Sequence, residues 1–273
     1  MIGKLPGIAT VMFALVSAAA PARASSLEYR DVPGVFAHRW LRRPIIISLS
    51  TSLQSPPANF KAETDVSGAV RRALQRWAGA AEVQFLETIS TTEAISPMNA
   101  GDGVNLISIS RANSAVFGSA ESPGQTRVFY DSGGAIVEAD IALNPNVPFS
   151  SDGTPGTYDL ESTLTHEIGH LLGLEHSAII GATMQPRQAR NGIYGLPAMT
   201  QRTLSADDQA RARWLYGPQS GLSSISGKLT TNTSGRARSI FGAHIFAEDV
   251  ATGNVVAGSI SAGSGSYRLE GLR

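Results

Sequence analysis

The chain has 273 residues, enough for one well-buried domain and a small second one. It is 42% hydrophobic and 16% charged, and 22 basic residues balance 22 acidic ones, so its charge points to no nucleic-acid or anionic-membrane partner. It contains no cysteine, which excludes disulfides, thiolate metal sites and cysteine nucleophiles. In chain order, Lys4 precedes an apolar run from Ile8 to Ala20, and Ala22-Arg23-Ala24 offers the small residues a signal peptidase inspects. This predicts a secretory signal over residues 1–24, a mature chain beginning at Ser25 and an extracellular location. The alternative is a membrane anchor, but the run is shorter than the about 20 residues that span a bilayer, and no later segment is apolar enough to do so.

Pro44 to Ser50 is rich in β-branched residues and predicts a strand. Asp65 to Trp77 predicts a helix capped by Asp65, since Val66, Val70, Ala73, Leu74 and Trp77 recur at helical spacing. Glu82 to Leu86 and Val104 to Ile109 predict two more strands, and Asn113 to Pro148 predicts strands joined by turns, clearest from Ile136 to Leu143. Asp152 to Thr157 is a loop, a helix starts near Leu160 and stops at Gly173, and Pro186 to Thr203 has no periodicity. Ser205 to Tyr216 predicts a helix with Ser205 and Asp208 as a capping box, ended by Gly217-Pro218. The order of elements is that of an α+β domain, helices packed on one twisted sheet, spanning residues 25–217. Residues 218–273 open with a glycine–serine linker and continue as short strands at Ile225–Leu229, Ala243–Ala247, Val255–Ile260 and Tyr267–Leu269. They predict an immunoglobulin-like β-sandwich, incomplete because such a fold takes about 100 residues.

Residues 166–176 read HEIGHLLGLEH. His166 and His170 are four apart, so on a helix both imidazoles project from one face and reach one ion at about 2.0–2.1 Å. Glu167 sits beside the ion rather than on it, where a carboxylate takes a proton from an activated water. Gly173 tolerates the left-handed conformation that ends helices and lets the chain bring in His176 as third ligand. Three neutral imidazoles leave a position open, as a catalytic zinc requires and a closed structural site does not. The expected chemistry is zinc-dependent hydrolysis of peptide bonds, with Glu167 as general base and protein or peptide substrates. A non-catalytic zinc site is the alternative, and it has no use for Glu167.

HEIGHLLGLEHS resembles the metzincin signature of zinc endopeptidases, and Ser177 after the third histidine is similar to the matrixin branch. The resemblance implies a metzincin-type catalytic domain: a twisted, mostly parallel sheet with helices, an active-site helix and a methionine turn. It makes Met184, in Ala182-Thr183-Met184-Gln185-Pro186, the hydrophobic floor under the imidazoles; alone, Met184 reads as an ordinary core residue. Leu204 to Gly217 resembles the family's closing helix, and Ala139-Asp140-Ile141 the strand before the active-site helix. The resemblance also implies substrate laid along an edge strand, with Ala115 to Ser119 the expected edge. The loop from Arg187 to Thr203 would wall the substrate pocket, with Ile193, Tyr194 and Leu196 as candidate selectivity residues or simple loop packing. Residues 225–272 resemble, in short stretches, the β-sandwich modules found beside carboxypeptidase domains.

Two departures stand out. The cysteine-bearing inhibitory pro-segment of animal matrixins has no counterpart here, and only His38 and His244 remain for a second, structural zinc. One catalytic zinc is therefore expected. A structural calcium ion is a further candidate through Asp131, Asp140 and Asp152, the alternative being solvated or structural aspartates.

Overall fold

The computed structural model describes residues 8–14, 38–118, 122–192, 201–218, 220–233 and 236–273. Its contacts divide the chain into two units: residues 36–174 with 186–204, and residues 1–35 with 175–185 and 205–273. Strand β1 (Ile8–Ala14), from the apolar run at the start of the chain, belongs to the second unit.

The first unit is built on a six-stranded sheet. Strands β2 (Arg39–Trp40), β3 (Ile45–Ser50), β4 (Phe85–Ser90), β5 (Leu106–Ser108) and β7 (Ala135–Leu143) lie in the order β2-β7-β5-β3-β4, all parallel. Strand β6 (Gly124–Tyr130) pairs antiparallel with β7, Thr126 opposite Ile141. The alternation expected of β3 holds: Ile45, Ile47 and Leu49 are buried and Ile46 is exposed. Helix α1 (Val66–Ala81) buries Val66, Val70, Ala73, Leu74 and Trp77, and the Asp65 side chain caps it by accepting the Gly68 N–H at 2.9 Å.

Two expected strands are corrected. Glu82 closes α1 in a left-handed conformation (φ 54°), so the following strand begins only at Phe85. Ala115 to Phe117 is not an edge strand but part of a short helix, α2 (Ser114–Phe117), whose Phe117 packs with Ile95, Leu106 and Ala142. Burial of that ring wins over extended pairing. Ser119 lies outside the described residues. The edge strand beside β7 is β6, which pairs with no other described strand.

Two short strands, β8 (Phe149–Ser150) and β9 (Tyr158–Asp159), pair in parallel and lead into helix α3 (Leu160–Leu171). Trp77 Nε1 donates to the Thr165 carbonyl at 2.6 Å, and Trp40 Nε1 to the Leu171 carbonyl at 2.8 Å, tying α1 and β2 to this helix. Glu161, almost fully buried, receives Arg72 at 2.7 Å and Arg76 at 2.9 Å from α1. Arg202 pairs with Asp159 at 2.6 Å, so the start of α3 is fixed from two sides.

In the second unit, helix α4 (Ala206–Tyr216) starts with the expected capping box of Ser205 and Asp208. The strands that follow are β10 (Ser223–Lys228), β11 (Thr230–Thr233), β12 (Arg236–Ser239), β13 (His244–Asp249), β14 (Val255–Ile260) and β15 (Ser266–Leu272). β10 pairs with β15, β11 with β12, and β13 lies between β1 and β14, every pair antiparallel. Ile245, Ala247, Ala257, Leu269 and Leu272 form their core. α4 packs on β14 and β15, and Arg268 lies over the Trp214 ring at 5.3 Å. Among the described residues no helix is long and apolar enough to cross a membrane.

Candidate active site

α3 carries the first two candidate ligands. The Asp159 side chain caps it by accepting the Ser162 N–H at 2.9 Å, and nearly every residue up to Leu171 is buried, His166 included, while His170 is half-buried. The helix ends as the sequence predicts. Gly173 has φ 90°, its N–H reaches the His170 carbonyl at 2.8 Å, and Leu174 N–H reaches the Gly169 carbonyl at 3.0 Å. A side chain at 173 would also run into the His38 carbonyl oxygen, so both the turn and the close approach require glycine.

His166 and His170 present their Nε2 atoms 3.1 Å apart with the rings at 83°. His176 completes a group of three whose ligand nitrogens lie within 4.8 Å of one another. His170 Nδ1 meets the Leu174 carbonyl at 2.8 Å; a carbonyl only accepts, so Nδ1 carries the proton and Nε2 presents its lone pair as the metal ligand. Burial holds the His176 imidazole below its ordinary range, which favours the neutral form a metal needs. Three convergent imidazoles fit a zinc ion.

Glu167 is 5% exposed. Its Oε2 accepts the Thr126 hydroxyl at 2.6 Å, and burial pushes its carboxyl up to about 7 while that hydrogen bond pulls it back. Gly124, on the same strand, makes room for it: an added Cβ would lie 2.7 Å from Glu167 Cγ and Oε1. Sequence reasoning misses both Thr126 and Gly124. They lie about forty positions before Glu167, and only the β6–α3 packing brings them to it.

Met184 is fully buried. Its carbonyl accepts the Ser177 N–H at 2.7 Å, and its own N–H and that of Thr183 donate to the Asp208 carboxylate at 3.1 and 2.8 Å. Asp208 also accepts the Ser205 N–H at 2.8 Å, so one carboxylate joins the methionine turn to the start of α4. Burial raises the Asp208 carboxyl above its usual range, and these donors oppose the rise.

Ile193, Tyr194 and Leu196 lie outside the described residues. The ends of their loop are anchored near the start of α3. Thr163 Oγ1 donates to Gln188 Oε1 at 2.8 Å, Gly156 N–H reaches the Asn191 carbonyl at 2.8 Å, and Arg202 holds Asp159. The three calcium candidates are each committed to protein donors. Asp131 accepts Gly133 and Ala135 N–H, Asp140 accepts Ser96 and Leu106 N–H, and Asp152 pairs with Lys61. Among the described residues the only group placed to hold a metal is the histidine triad.

A mostly parallel sheet, a histidine-bearing helix and three convergent imidazoles define a metalloprotein with a metzincin-type α+β fold. The chain belongs to the matrixin family, whose model matches residues 39–217. It is 30% identical to Metalloendoproteinase 4-MMP of Arabidopsis thaliana over 209 residues, 73% of this chain and 55% of the relative. It is 28% identical to Metalloendoproteinase 1-MMP of the same plant, over 67% of this chain and 46% of the relative. Metalloendoproteinase 1 of Glycine max is 30% identical over 55% of this chain and 45% of its own length. The chain spans about half the length of these relatives.

Proposed function

We propose that the chain is a secreted zinc-dependent endopeptidase, with residues 25–217 holding the chemistry and residues 218–273 a small β-sandwich module similar to those beside carboxypeptidases. The observation that carries the reading is the convergence of His166, His170 and His176 next in sequence to a buried, hydrogen-bonded Glu167. A zinc ion held by the three imidazoles supplies Lewis-acid activation of water and of a peptide carbonyl. Glu167 takes the proton of the attacking water and delivers it to the leaving amine nitrogen.

Among the described strands β6 pairs only with β7, and its Thr126 reaches the Glu167 side chain; a substrate strand added beside β6 places its backbone over the site by β-augmentation. The loop anchored by Gln188, Asn191 and Arg202 walls the pocket, with Ile193, Tyr194 and Leu196 setting side-chain preference. Secretion rests on the Ile8 to Ala20 run and the Ala22-Arg23-Ala24 site. Casein digestion by the mature protein tests the function. A chelator should abolish it and added zinc restore it; digestion insensitive to chelator would overturn the metal-dependent reading.

A further inference from the structure

The segment after the third candidate ligand is tied to the C-terminal strands through one buried carboxylate. Ser177, adjacent to His176, donates its hydroxyl to Asp207 Oδ2 on α4. The other oxygen, Asp207 Oδ1, accepts the Gly258 N–H of β14 at 2.7 Å. Ser177 and Asp207 are 2% and 1% exposed, so neither can exchange these partners for water without opening the packing. Ser177 Oγ also accepts the Ile179 N–H at 3.0 Å, which rigidifies the turn leaving His176. Gly258 is held at its other end as well, its carbonyl accepting Arg211 of α4 at 3.2 Å. A Cβ at 258 would lie 2.5 Å from Ile179 Cδ1 and 2.6 Å from Cγ1, so a larger residue here pushes against the Ile179 side chain of this turn.

We propose that β14 is a positioning element for the third metal ligand: Gly258 fixes Asp207, and Asp207 fixes the Ser177 turn that carries His176. Asp207 is thereby a positioning residue, and the C-terminal strands serve the metal centre in addition to any spacing or binding role. A partner bonded directly to a metal ligand typically contributes about 10–100-fold to metal affinity, and Asp207, acting through the adjacent Ser177, is expected at the lower end of that range. The inference rests on His176 being a ligand.

The test uses the full chain with Co2+ as probe, reading Co2+ affinity and the visible absorption of the bound ion, which reports its ligand geometry. Gly258→Val should weaken Co2+ binding about tenfold and alter the spectrum. Combining it with Ile179→Ala, which removes about the volume the valine adds, should restore both. Ile47→Val, a core change in the other unit's sheet, should lower the melting temperature and move neither readout. If Gly258→Val does not fold, Ser177→Ala carries the test, because it removes the hydroxyl through which Asp207 holds the turn; the same weakening is expected. Wild-type affinity and spectrum in the folded Gly258→Val or Ser177→Ala chain would overturn the proposal. Co2+ binding that survives His176→Ala undiminished would instead overturn the ligand assignment, which separates the two failures.

Discussion

Among the described residues Glu167 has one hydrogen-bond donor for its side chain, the Thr126 hydroxyl at 2.6 Å, and one glycine that makes room for it, Gly124. A buried carboxylate with a single donor depends on it for orientation. Thr126→Val keeps the shape of the strand and removes the hydroxyl. It is expected to lower kcat about tenfold, the size of one hydrogen bond to a charged group, with zinc content and KM little changed. Unchanged kcat would mean that Thr126 only packs. The candidate ligands are legible in the sequence because helical geometry is local: four residues along α3 return to the same face, and Gly173 marks the turn. Thr126, Gly124 and Gly258 are not legible, because each acts through a tertiary contact with no local pattern to mark it.

At the scale of elements, those with strong periodicity lie where the spacing puts them. α1 and α4 start at their expected caps, and β14 runs over Val255–Ile260 as expected. The misses have physical causes. Glu82 adopts a left-handed turn that composition does not announce, and Phe117 trades a strand for a buried ring. β11 and β12 escape notice because they are polar and largely exposed, with no alternation between faces. β7 carries a less visible device. Asp140 lies within it, 1% exposed and accepting Ser96 and Leu106 N–H at 2.8 and 2.9 Å. Burial pushes its carboxyl up to about 6 from 3.8, the two donors oppose this, and the Glu138 and Asp102 charges add to it. The folded state therefore binds this proton more tightly than the unfolded chain, so the stability it contributes is present near pH 4 and is lost as pH rises through about 6. The melting temperature of wild type should fall relative to that of Asp140→Asn across that interval and level off above it. A difference independent of pH would contradict the assignment.

For the whole molecule, the composition changes at Gly217 but the contacts do not stop there. α4 closes the region similar to matrixins and at the same time packs on β14 and β15 within one unit. A sequence reader sees the linker because glycine and serine are a local signal; the shared Asp207 is invisible until the strands are placed. The apolar run at the start of the chain, read as a signal, pairs through Ile8–Ala14 with β13 in the same unit. The central claim concerns the division of labour at the metal: three histidines hold it and Glu167 moves protons. Zinc content and casein hydrolysis measured together on Glu167→Ala test it most directly. About one zinc per chain should remain while hydrolysis falls about 10²–10⁴-fold, the usual worth of a positioned acid–base group. Hydrolysis at the wild-type rate in the zinc-loaded variant would contradict the account.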